Sequence, residues 1–303
     1  MSFVKPVDKA VIPVAGLGTR MLPATKAIPK ELLPIYDRPI IEHVVKEAIN
    51  GGIREIIFVT RSGKEAIENH FDAHYELEHR LVKKGKNKIL EDIVRIIPDD
   101  VKVSSVRQAD ALGLGHAILC AKHLINDEPF AVLLPDVLVL DKVIREKDFS
   151  FSYLMKAWNK TGIGQVMVES IDFDDIEKYG IIDMCGKNIN KFETTSMSAL
   201  IEKPEPQKAP SDLAILGRYI LPPQILSILE SISAGVGNEI QLTDALSELL
   251  AKDGLNAVMT DAHIFDCGNK MGYLTANLMM AMRDQKSREE INAFMNKFKD
   301  DDF

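Results

Sequence analysis

The chain has 303 residues, of which 46% are hydrophobic, 27% charged and 6% aromatic, which is typical of a folded globular protein and unlike a disordered or collagen-like chain. Its 37 Lys and Arg against 45 Asp and Glu give a formal net charge of −8, which excludes non-specific wrapping of nucleic acid by an overall positive charge. The three cysteines lie far apart without a Cys-x-x-Cys pair, which argues against a disulfide framework or a zinc site and favours a reducing compartment.

The first ten residues carry Lys5 and Lys9 but no apolar stretch of the kind found in signal peptides. The longest apolar runs further along the chain are interrupted and too short to span a membrane. A basic run over residues 79–88 lacks the interleaved aromatic side chains of a nucleic-acid-binding face, so we interpret it as a solvated helix end. We therefore expect a cytoplasmic protein with neither membrane nor nucleic acid as a partner.

Short β-branched runs alternate with helical patterns through the first half of the chain, which is typical of a parallel sheet covered by helices. The predicted strands are Lys9–Val14, Glu55–Thr60, Val101–Gln108 and Phe130–Leu134. The predicted helices run from Ile40 to the Gly51-Gly52 pair, and over Lys64–Lys84, Gly115–Leu124 and Ser152–Thr161.

The second half of the chain predicts a change in the sheet. Three strand-like segments follow one another without helices between them, so we expect a mixed sheet there; they are Gln165–Ile171, Gly180–Met184 and Leu213–Leu221. Three prolines predict an extended loop over Lys203–Pro210. Helices are predicted at Ile240–Ala251, Asn269–Arg283 and Glu289–Phe298, followed by a frayed tail at 300–302.

A glycine-rich turn follows the first strand directly, with the residues Ala15, Gly16, Leu17, Gly18, Thr19 and Arg20. Glycines there let backbone N–H groups approach a phosphate chain without Cβ obstruction, which favours a phosphate cradle, although a purely structural turn needs the same residues. A dinucleotide fingerprint would need a glycine at Met21 and a continuous helix, which Pro23 and Pro29 interrupt. A Walker A loop would need Gly-Lys-Ser/Thr, which is also missing.

The run from Met21 to Pro34 carries Lys26 and Lys30 on a segment stiffened by prolines. Together with the glycine turn, this run resembles the opening of the bacterial UTP-glucose-1-phosphate uridylyltransferases, members of the sugar-phosphate nucleotidylyltransferase superfamily. Further matching segments cover nearly the whole chain. They are Glu68–Asp72, Val106–Gln108, Gly113–Ala117, Leu134–Asp136, Tyr179–Gly180, Ile201–Pro204, Gly217–Tyr219, Glu239–Asp244 and Phe265–Lys270.

The resemblance implies a reaction and an architecture. Such enzymes transfer the uridylyl group of UTP to α-D-glucose 1-phosphate, giving UDP-glucose and pyrophosphate, with Mg2+ as the cofactor. The family implies one Rossmann-like α/β domain over residues 1–303, with a mixed, mostly parallel sheet flanked by helices. It also implies a homo-oligomer, a dimer or a tetramer, in which the helices at about 269–299 could mediate assembly. Two alternatives stay open: the same chemistry with dTTP, and a non-catalytic relative that binds nucleotide sugars.

The reaction brings two anions together, and unit charges about 4 Å apart repel by about 4 kcal/mol at an effective dielectric of about 20. Because the attacking sugar phosphate is largely ionised near neutral pH, in-line attack on the α-phosphorus needs positioning and charge neutralisation rather than a general base. The resemblance assigns this neutralisation to Arg20, whose fork can bind two triphosphate oxygens, and to Lys30 as a point charge.

The magnesium ligands are predicted from two distant acids. Asp136 follows the apolar run Phe130–Leu134, and open α/β sheets hold ligands at the carboxyl ends of strands. An N-cap role for Asp136 is disfavoured because Val137–Leu140 has the pattern of a further strand. The resemblance adds Asp266, which by itself would be interpreted as a turn residue, so the two carboxylates should converge.

The resemblance also implies subsites for the base and the sugar phosphate. The uracil-binding residues are Ala15, Gly16, Gln108 and Gly113. The residues for the sugar phosphate are Gly180, Glu202 and Lys203. An amide such as that of Gln108 can both donate to and accept from an imide edge. Because the reaction moves no proton, we expect His116 to cap the following helix rather than to act as an acid or base.

Overall fold

The structure is a computed structural model that describes residues 4–94, 96–142, 148–235 and 238–297. Its strands are β1 Lys9–Pro13, β2 Pro34–Ile35, β3 Arg38–Pro39, β4 Glu55–Thr60, β5 Lys102–Arg107, β6 Phe130–Leu133, β7 Val137–Asp141, β8 Gly164–Ser170, β9 Gly180–Asp183, β10 Thr194–Ser196, β11 Ala199–Glu202, β12 Leu213–Leu221, β13 Leu255–Met259 and β14 Ala262–Asp266. Its helices are α1 Ile40–Asn50, α2 Glu65–Phe71, α3 Tyr75–Lys83, α4 Asn87–Val94, α5 Gly113–Cys120, α6 Lys122–Ile125, α7 Ser150–Thr161, α8 Gln224–Ser231, α9 Leu242–Asp253, α10 Lys270–Ala281 and α11 Gln285–Lys297.

Ten strands of the described ranges form one mixed sheet, whose main path is β10-β13-β8-β12-β6-β1-β4-β5, with β9 joined to β12 and β11 to β9. Strand β1 is parallel to β4 and β6, whereas β12 is antiparallel to β6 and β8. The predicted mixed α/β class is therefore confirmed. Two small antiparallel sheets pair β14 with β7 and β2 with β3. No helix within the described ranges is long and apolar enough to cross a membrane.

Apolar side chains cover both faces of the sheet, which explains why its central strands are apolar at successive positions. Along β1, Val11 packs into the cluster beneath α5, α8 and α9, and its neighbour Ile12 packs into the cluster beneath α1 and α7. Since helices shield both faces, ligands can reach the sheet only at the ends of its strands. The parallel strands β1 and β6 end at one such edge, followed by the glycine turn and by Leu134–Asp136 respectively.

Strand β12 reaches the same edge through an irregularity in its own pairing. Its register with β8 shifts between Ile215 and Tyr219, and Gly217 between them has a left-handed φ of +71°. A Cβ on Gly217 would lie 2.7 Å from the Leu134 side chain, so only glycine lets β12 approach the chain ahead of Asp136 this closely.

The strand predictions are confirmed to within two residues at each end, whereas several elements were not predicted. These are β2, β3, β10, β11, β13, β14, α4 and α8. The single helix predicted over Lys64–Lys84 is wrong, because Asp72 is extended and the His74 side chain accepts the Leu77 N–H and starts α3. The loop predicted as extended at Lys203–Pro210 contains a 3-10 turn at Pro206–Lys208. The predicted tail at 300–302 lies outside the described residues.

Glu42 of α1 is a buried carboxylate whose ion pairs should stabilise the fold. Its side chain is 3% exposed and contacts Arg38, Lys46 and His70. Burial raises the pKa of the Glu42 carboxyl, but hydrogen bonds from these three side chains outweigh it and lower the pKa to about 2, from an ordinary 4.5. A carboxyl with a depressed pKa stabilises the folded state above its unfolded pKa and loses that contribution as the pH falls through its folded pKa.

We expect Glu42→Gln to lower the free energy of unfolding at pH 7 by about 3 kcal/mol. The difference from the unaltered protein should shrink steadily as the pH falls from 5 towards 2, as measured by urea denaturation at a series of pH values. A difference of the same size at pH 7 and at pH 3 would contradict the assignment.

Candidate active site

The glycine turn and Lys30 pack against each other at the edge where β1 ends. Gly18 has a left-handed φ of +67°, and its carbonyl accepts a hydrogen bond of 2.8 Å from the Thr25 hydroxyl. A Cβ on Gly18 would lie 3.4 Å from Cβ of Lys30, and one on Gly16 would lie 4.0 Å from Cε of Lys30. The lysine stem therefore lies across the turn, which brings an ammonium next to a glycine-rich turn of the kind that can bind an anion.

Lys30 points from its own 3-10 turn at Lys30–Leu32 to Asp136 after β6. Nζ of Lys30 lies 2.5 Å from Oδ2 of Asp136, and the two side chains are 15% and 17% exposed. Burial disfavours the charge on each group, but the opposite charge and the hydrogen bond outweigh it, so the pKa of Asp136 is lowered and the pKa of Lys30 is raised. Both groups are consequently charged at neutral pH.

Arg20 joins this pair to a second carboxylate. Its Nη1 donates to Oδ2 of Asp266 at 3.2 Å, and its Nη2 lies 3.8 Å from Oδ2 of Asp136. The Arg20 side chain is 62% exposed, so it can turn towards an incoming anion at little cost in its own burial. Thus two cations and two carboxylates form one cluster, although they belong to distant parts of the chain.

The two carboxylates converge because of the small sheet formed by β7 and β14. Asp266 at the end of β14 is paired in register with Val137, and the Cys267 N–H donates to the Asp136 carbonyl at 2.8 Å. A Cβ on Gly268 would lie 2.8 Å from Oδ2 of Asp136 and 2.8 Å from Oδ1 of Asp266. The same Cβ would lie 2.6 Å from Nη2 of Arg20, so glycine lets both carboxylates and the guanidinium come close to the chain at this point.

Asp136 and Asp266 together could bind a divalent cation that also binds substrate oxygens. Within the described ranges, no group of three or more His, Cys, Asp or Glu side chains is placed to hold a metal ion. Two carboxylates alone are what Mg2+ uses when substrate phosphates complete its coordination. The donor set of Asp136 and Asp266 therefore fits magnesium and does not fit zinc, which prefers three or four nitrogen or sulfur ligands.

A cavity of about 720 Å³ opens beside the charged cluster and is large enough for a small ligand. Four of the predicted site residues line it: Arg20, Asp136, Lys203 and Asp266. The turn residues Ala15, Gly16, Leu17, Gly18 and Thr19, together with Lys30, Gln108, Gly113, Gly180 and Glu202, lie outside that lining.

The residues predicted for the sugar phosphate lie next to one another on paired strands. Gly180 of β9 pairs in register with Glu202 of β11, and a Cβ on Gly180 would lie 3.2 Å from Oε2 of Glu202. The Thr243 hydroxyl of α9 donates to the same oxygen at 2.7 Å. Lys203 follows with Nζ 3.3 Å from Oε1 of Glu202, and its side chain is 57% exposed. Its ammonium can therefore reach an anion in the cavity.

The residues predicted for the base form a separate contact. Gln108 is 6% exposed, and its Nε2 lies 3.2 Å from the Gly113 carbonyl and 2.9 Å from Nδ1 of His116. Gly113 has a φ of +93°, and a Cβ there would lie 2.8 Å from the Ile240 carbonyl. The predicted capping role of His116 is wrong: it lies inside α5, and its ring contacts the Gln108 amide instead.

Several cavity residues were not predicted. Glu169 ends the apolar run of β8 much as Asp136 ends that of β6, a signal that could have identified it. Tyr179 and Lys178 also line the cavity, and burial and then the Asp266 charge raise the pKa of Tyr179 to about 12. Thr243 lies within the matching segment Glu239–Asp244, but its hydrogen bond to Glu202 depends on tertiary packing.

The chain is similar to a known protein family and to individual proteins over almost its whole length. Residues 9–283 match the nucleotidyl transferase family. The UTP–glucose-1-phosphate uridylyltransferase of Haemophilus ducreyi is 46% identical over 282 residues, which is 93% of this chain and 96% of the relative. The protein of the same name from Escherichia coli K12 is 46% identical over 292 residues, 95% of each chain.

Two solved structures give the same result. A UTP-bound UGPase from Acinetobacter baumannii has a TM-score of 0.88 at 44% identity and covers 95% of this chain and 98% of that one. A UDP-glucose pyrophosphorylase complexed with UDP-glucose has a TM-score of 0.80 at 35% identity and covers 92% of this chain and 100% of that one. The likeness therefore extends over the full length of these relatives.

Glu169 gives the cavity a measurable pH dependence. Burial raises the pKa of its carboxyl to about 7, with opposing effects from the nearby Lys142 and Asp261 charges. Because the folded state holds this proton more tightly than the unfolded chain, Glu169 destabilises the fold progressively as the pH rises from 4.5 to 7.

We expect Glu169→Gln to unfold at a higher temperature than the unaltered protein at pH 8 and at the same temperature at pH 4.5, as measured by calorimetry. A gain that is equal at both pH values would show that the carboxyl titrates normally.

Proposed function

The chain belongs to the nucleotidyl transferase family, as one of its UTP-glucose-1-phosphate uridylyltransferases, and we propose that it transfers the uridylyl group of UTP to α-D-glucose 1-phosphate with Mg2+ as its cofactor. The products would be UDP-glucose and pyrophosphate. The observation that carries this proposal is the cluster of Arg20, Lys30, Asp136 and Asp266 beside one cavity, since its cations could bind a triphosphate and its acids could bind magnesium.

Charge exchange within this cluster would prepare the site for its substrates. Without ligand, the two cations neutralise the two carboxylates. A triphosphate entering over the glycine turn offers Arg20 and Lys30 a stronger anionic partner, which leaves the oxygens of Asp136 and Asp266 to bind a cation. When bound, a magnesium ion would withdraw charge from the phosphate oxygens and orient the α-phosphoryl group.

The chain's own cations would serve the in-line attack in distinct ways. Lys30 is held firmly in the cluster and can stabilise the charge that develops on the α-phosphoryl oxygens. Arg20, which is more exposed, can fork two oxygens of the leaving pyrophosphate. Lys203, which lines the same cavity, can hold the phosphate of the sugar. No side chain has to remove a proton, because the attacking phosphate oxygen is already ionised.

Recognition of the two substrates would use backbone and amide groups. The Nε2 of Gln108 is engaged by Gly113 and His116, so its carbonyl oxygen is the group left to accept the imide N–H of uracil. The carboxylate of Glu202, oriented by Thr243, can accept hydrogen bonds from sugar hydroxyls beside the backbone of Gly180.

A reaction that consumes UTP also agrees with the cytoplasmic location expected from the cysteines.

The direct test is release of pyrophosphate from UTP, glucose 1-phosphate and Mg2+ by the purified chain. We expect release only when all three are present, and less with dTTP in place of UTP. Background release with the complete mixture would refute the proposed activity.

We also propose that residues 1–303 form one domain and that this domain self-associates. The helices α10 and α11 would form the contact between the copies. These helices expose Met271, Leu274 and Leu278, as well as Phe294 and Met295, at fractions of 48% to 68%. Surfaces of this kind on a folded protein often mark interfaces. Size-exclusion chromatography with light scattering would show a dimer or tetramer, and a monomer at high concentration would contradict it.

Lys30→Ala should lower kcat by a factor of about 10²–10³, since the ammonium acts on charge that develops in the transition state. It should also lower the melting temperature, because Asp136 loses its nearest counter-charge, so kcat is measured well below the transition. Lys26→Ala is the matched control, because Lys26 is an exposed cation on the same proline-stiffened segment. Equal activities of the two variants would mean that the role of Lys30 is misassigned.

Gly268→Ala should push the charged side chains of the cluster apart, because its Cβ would lie 2.6 Å from Nη2 of Arg20 and 2.8 Å from an oxygen of each carboxylate. We expect the Mg2+ concentration that gives half-maximal activity to rise about tenfold or more, with an unchanged melting temperature. Gly235→Ala is the control, since a Cβ there meets its nearest atoms at an ordinary 3.8 Å. An unchanged Mg2+ response in Gly268→Ala would place the metal elsewhere.

A further inference from the structure

Arg218 of β12 is a fully buried cation that does not line the cavity. It is 0% exposed, and a buried charge of this kind requires both a counter-charge and hydrogen-bond acceptors. Its Nε and Nη2 donate to Oε1 and Oε2 of Glu47 at 3.0 and 2.7 Å, which forms a two-pronged ion pair with α1. This pair neutralises the guanidinium and fixes its plane.

The remaining N–H groups of Arg218 bind the backbone on both sides of Asp136. Nη1 donates to the Leu134 carbonyl at 3.1 Å, and Nη2 donates to the Val137 carbonyl at 2.7 Å. Leu134 and Val137 flank the two-residue segment Pro135-Asp136. One rigid planar group therefore holds both ends of the segment that carries the proposed metal carboxylate.

The carboxylate itself points away from Arg218, towards Lys30 and the space beside Gly268. Arg218 can therefore act on Asp136 only through the backbone. Its loss would remove one donor from each carbonyl and leave that of Leu134 with only the Val137 N–H, at 3.4 Å. The segment would then be held only from the β14 side, by the Cys267 N–H on the Asp136 carbonyl and the pairing of Val137 with Asp266.

We propose that Arg218, oriented by Glu47, is a positioning residue that fixes Asp136 opposite Asp266 and thereby sets the affinity of the site for its divalent cation. This inference rests on the proposed metal role of the two acids. Lysine cannot replace Arg218, because a single ammonium cannot bind both Glu47 oxygens and both carbonyls in one plane.

The test measures UTP binding without glucose 1-phosphate, by calorimetry, once in EDTA and once with Mn2+. The ratio of the two dissociation constants reports the contact between the metal and the carboxylates, with no turnover involved. We call the ratio of the dissociation constant in EDTA to that in Mn2+ the gain from Mn2+. In Arg218→Lys and in Glu47→Gln we expect the dissociation constant in EDTA to be unchanged. We expect the gain from Mn2+ to fall about tenfold or more, as for other groups that orient metal ligands. If Arg218→Lys does not fold, the nearly isosteric Glu47→Gln decides the outcome alone.

Glu42→Gln is the matched control, because Glu42 is another ion-paired carboxylate of α1 but contacts Arg38, Lys46 and His70 instead of Arg218. It should lose stability and keep the full gain from Mn2+. An unchanged gain in Arg218→Lys and Glu47→Gln would overturn the inference, and so would an equal loss in Glu42→Gln, since that would reflect stability alone.

Asp136→Asn separates this inference from the proposed function. We expect it to abolish most of the gain from Mn2+ in UTP binding. If Asp136→Asn reduces the gain and the Arg218 and Glu47 variants do not, only the positioning role fails. If the unaltered protein shows no gain from Mn2+, or Asp136→Asn leaves it intact, the metal assignment fails and the positioning role fails with it.

Discussion

Mutual neutralisation of Lys30 and Asp136 is the interaction on which the site depends. A lysine and a carboxylate taken partly out of water are costly unless each balances the other, and here the distance between them is 2.5 Å. Arg20 extends the balance to Asp266. The same four charges can be redistributed when a triphosphate and a divalent cation arrive together, because each partner lost within the cluster is replaced by one of the same sign from the ligands.

The fold brings these charges together by combining parallel and antiparallel pairing at one edge of the sheet. The parallel strands β1 and β6 deliver the glycine turn and Asp136 side by side. The antiparallel pair β7 and β14 returns Asp266 to the same place from 130 residues further along the chain. Behind them, Arg218 joins β12, α1 and the segment around Asp136, so the buried layer and the charged edge are mechanically connected.

The sequence predicts those features that depend on local patterns. Seven of the ten strands that the structure describes in the large sheet were predicted because β-branched runs reveal buried strands, and Asp136 was identified because it ends such a run. The break between α2 and α3 was missed because a single side-chain cap at His74 decides it within a continuous helical pattern. The same difficulty applies to His116, whose contact with Gln108 depends on how α5 packs.

Features that depend on distant pairing could not be derived from local patterns. Asp266 was identified only through the family resemblance, since β14 pairs with β7 across more than a hundred residues and has no strong strand signal of its own. The position of Arg218 within an apolar strand does not predict its ion pair with Glu47, which lies 171 residues away in the sequence. Glu169 had a visible signal, an acid after a buried strand, but its place in the cavity follows only from the assembled sheet.

Anomalous diffraction from crystals grown with UDP-glucose and Mn2+ tests most directly whether Asp136 and Asp266 share one cation. We expect a single strong peak within coordination distance of both carboxylates and of a phosphate oxygen, with Lys30 turned towards the phosphates. A peak bound to only one of the two acids, or to neither, would contradict the shared site.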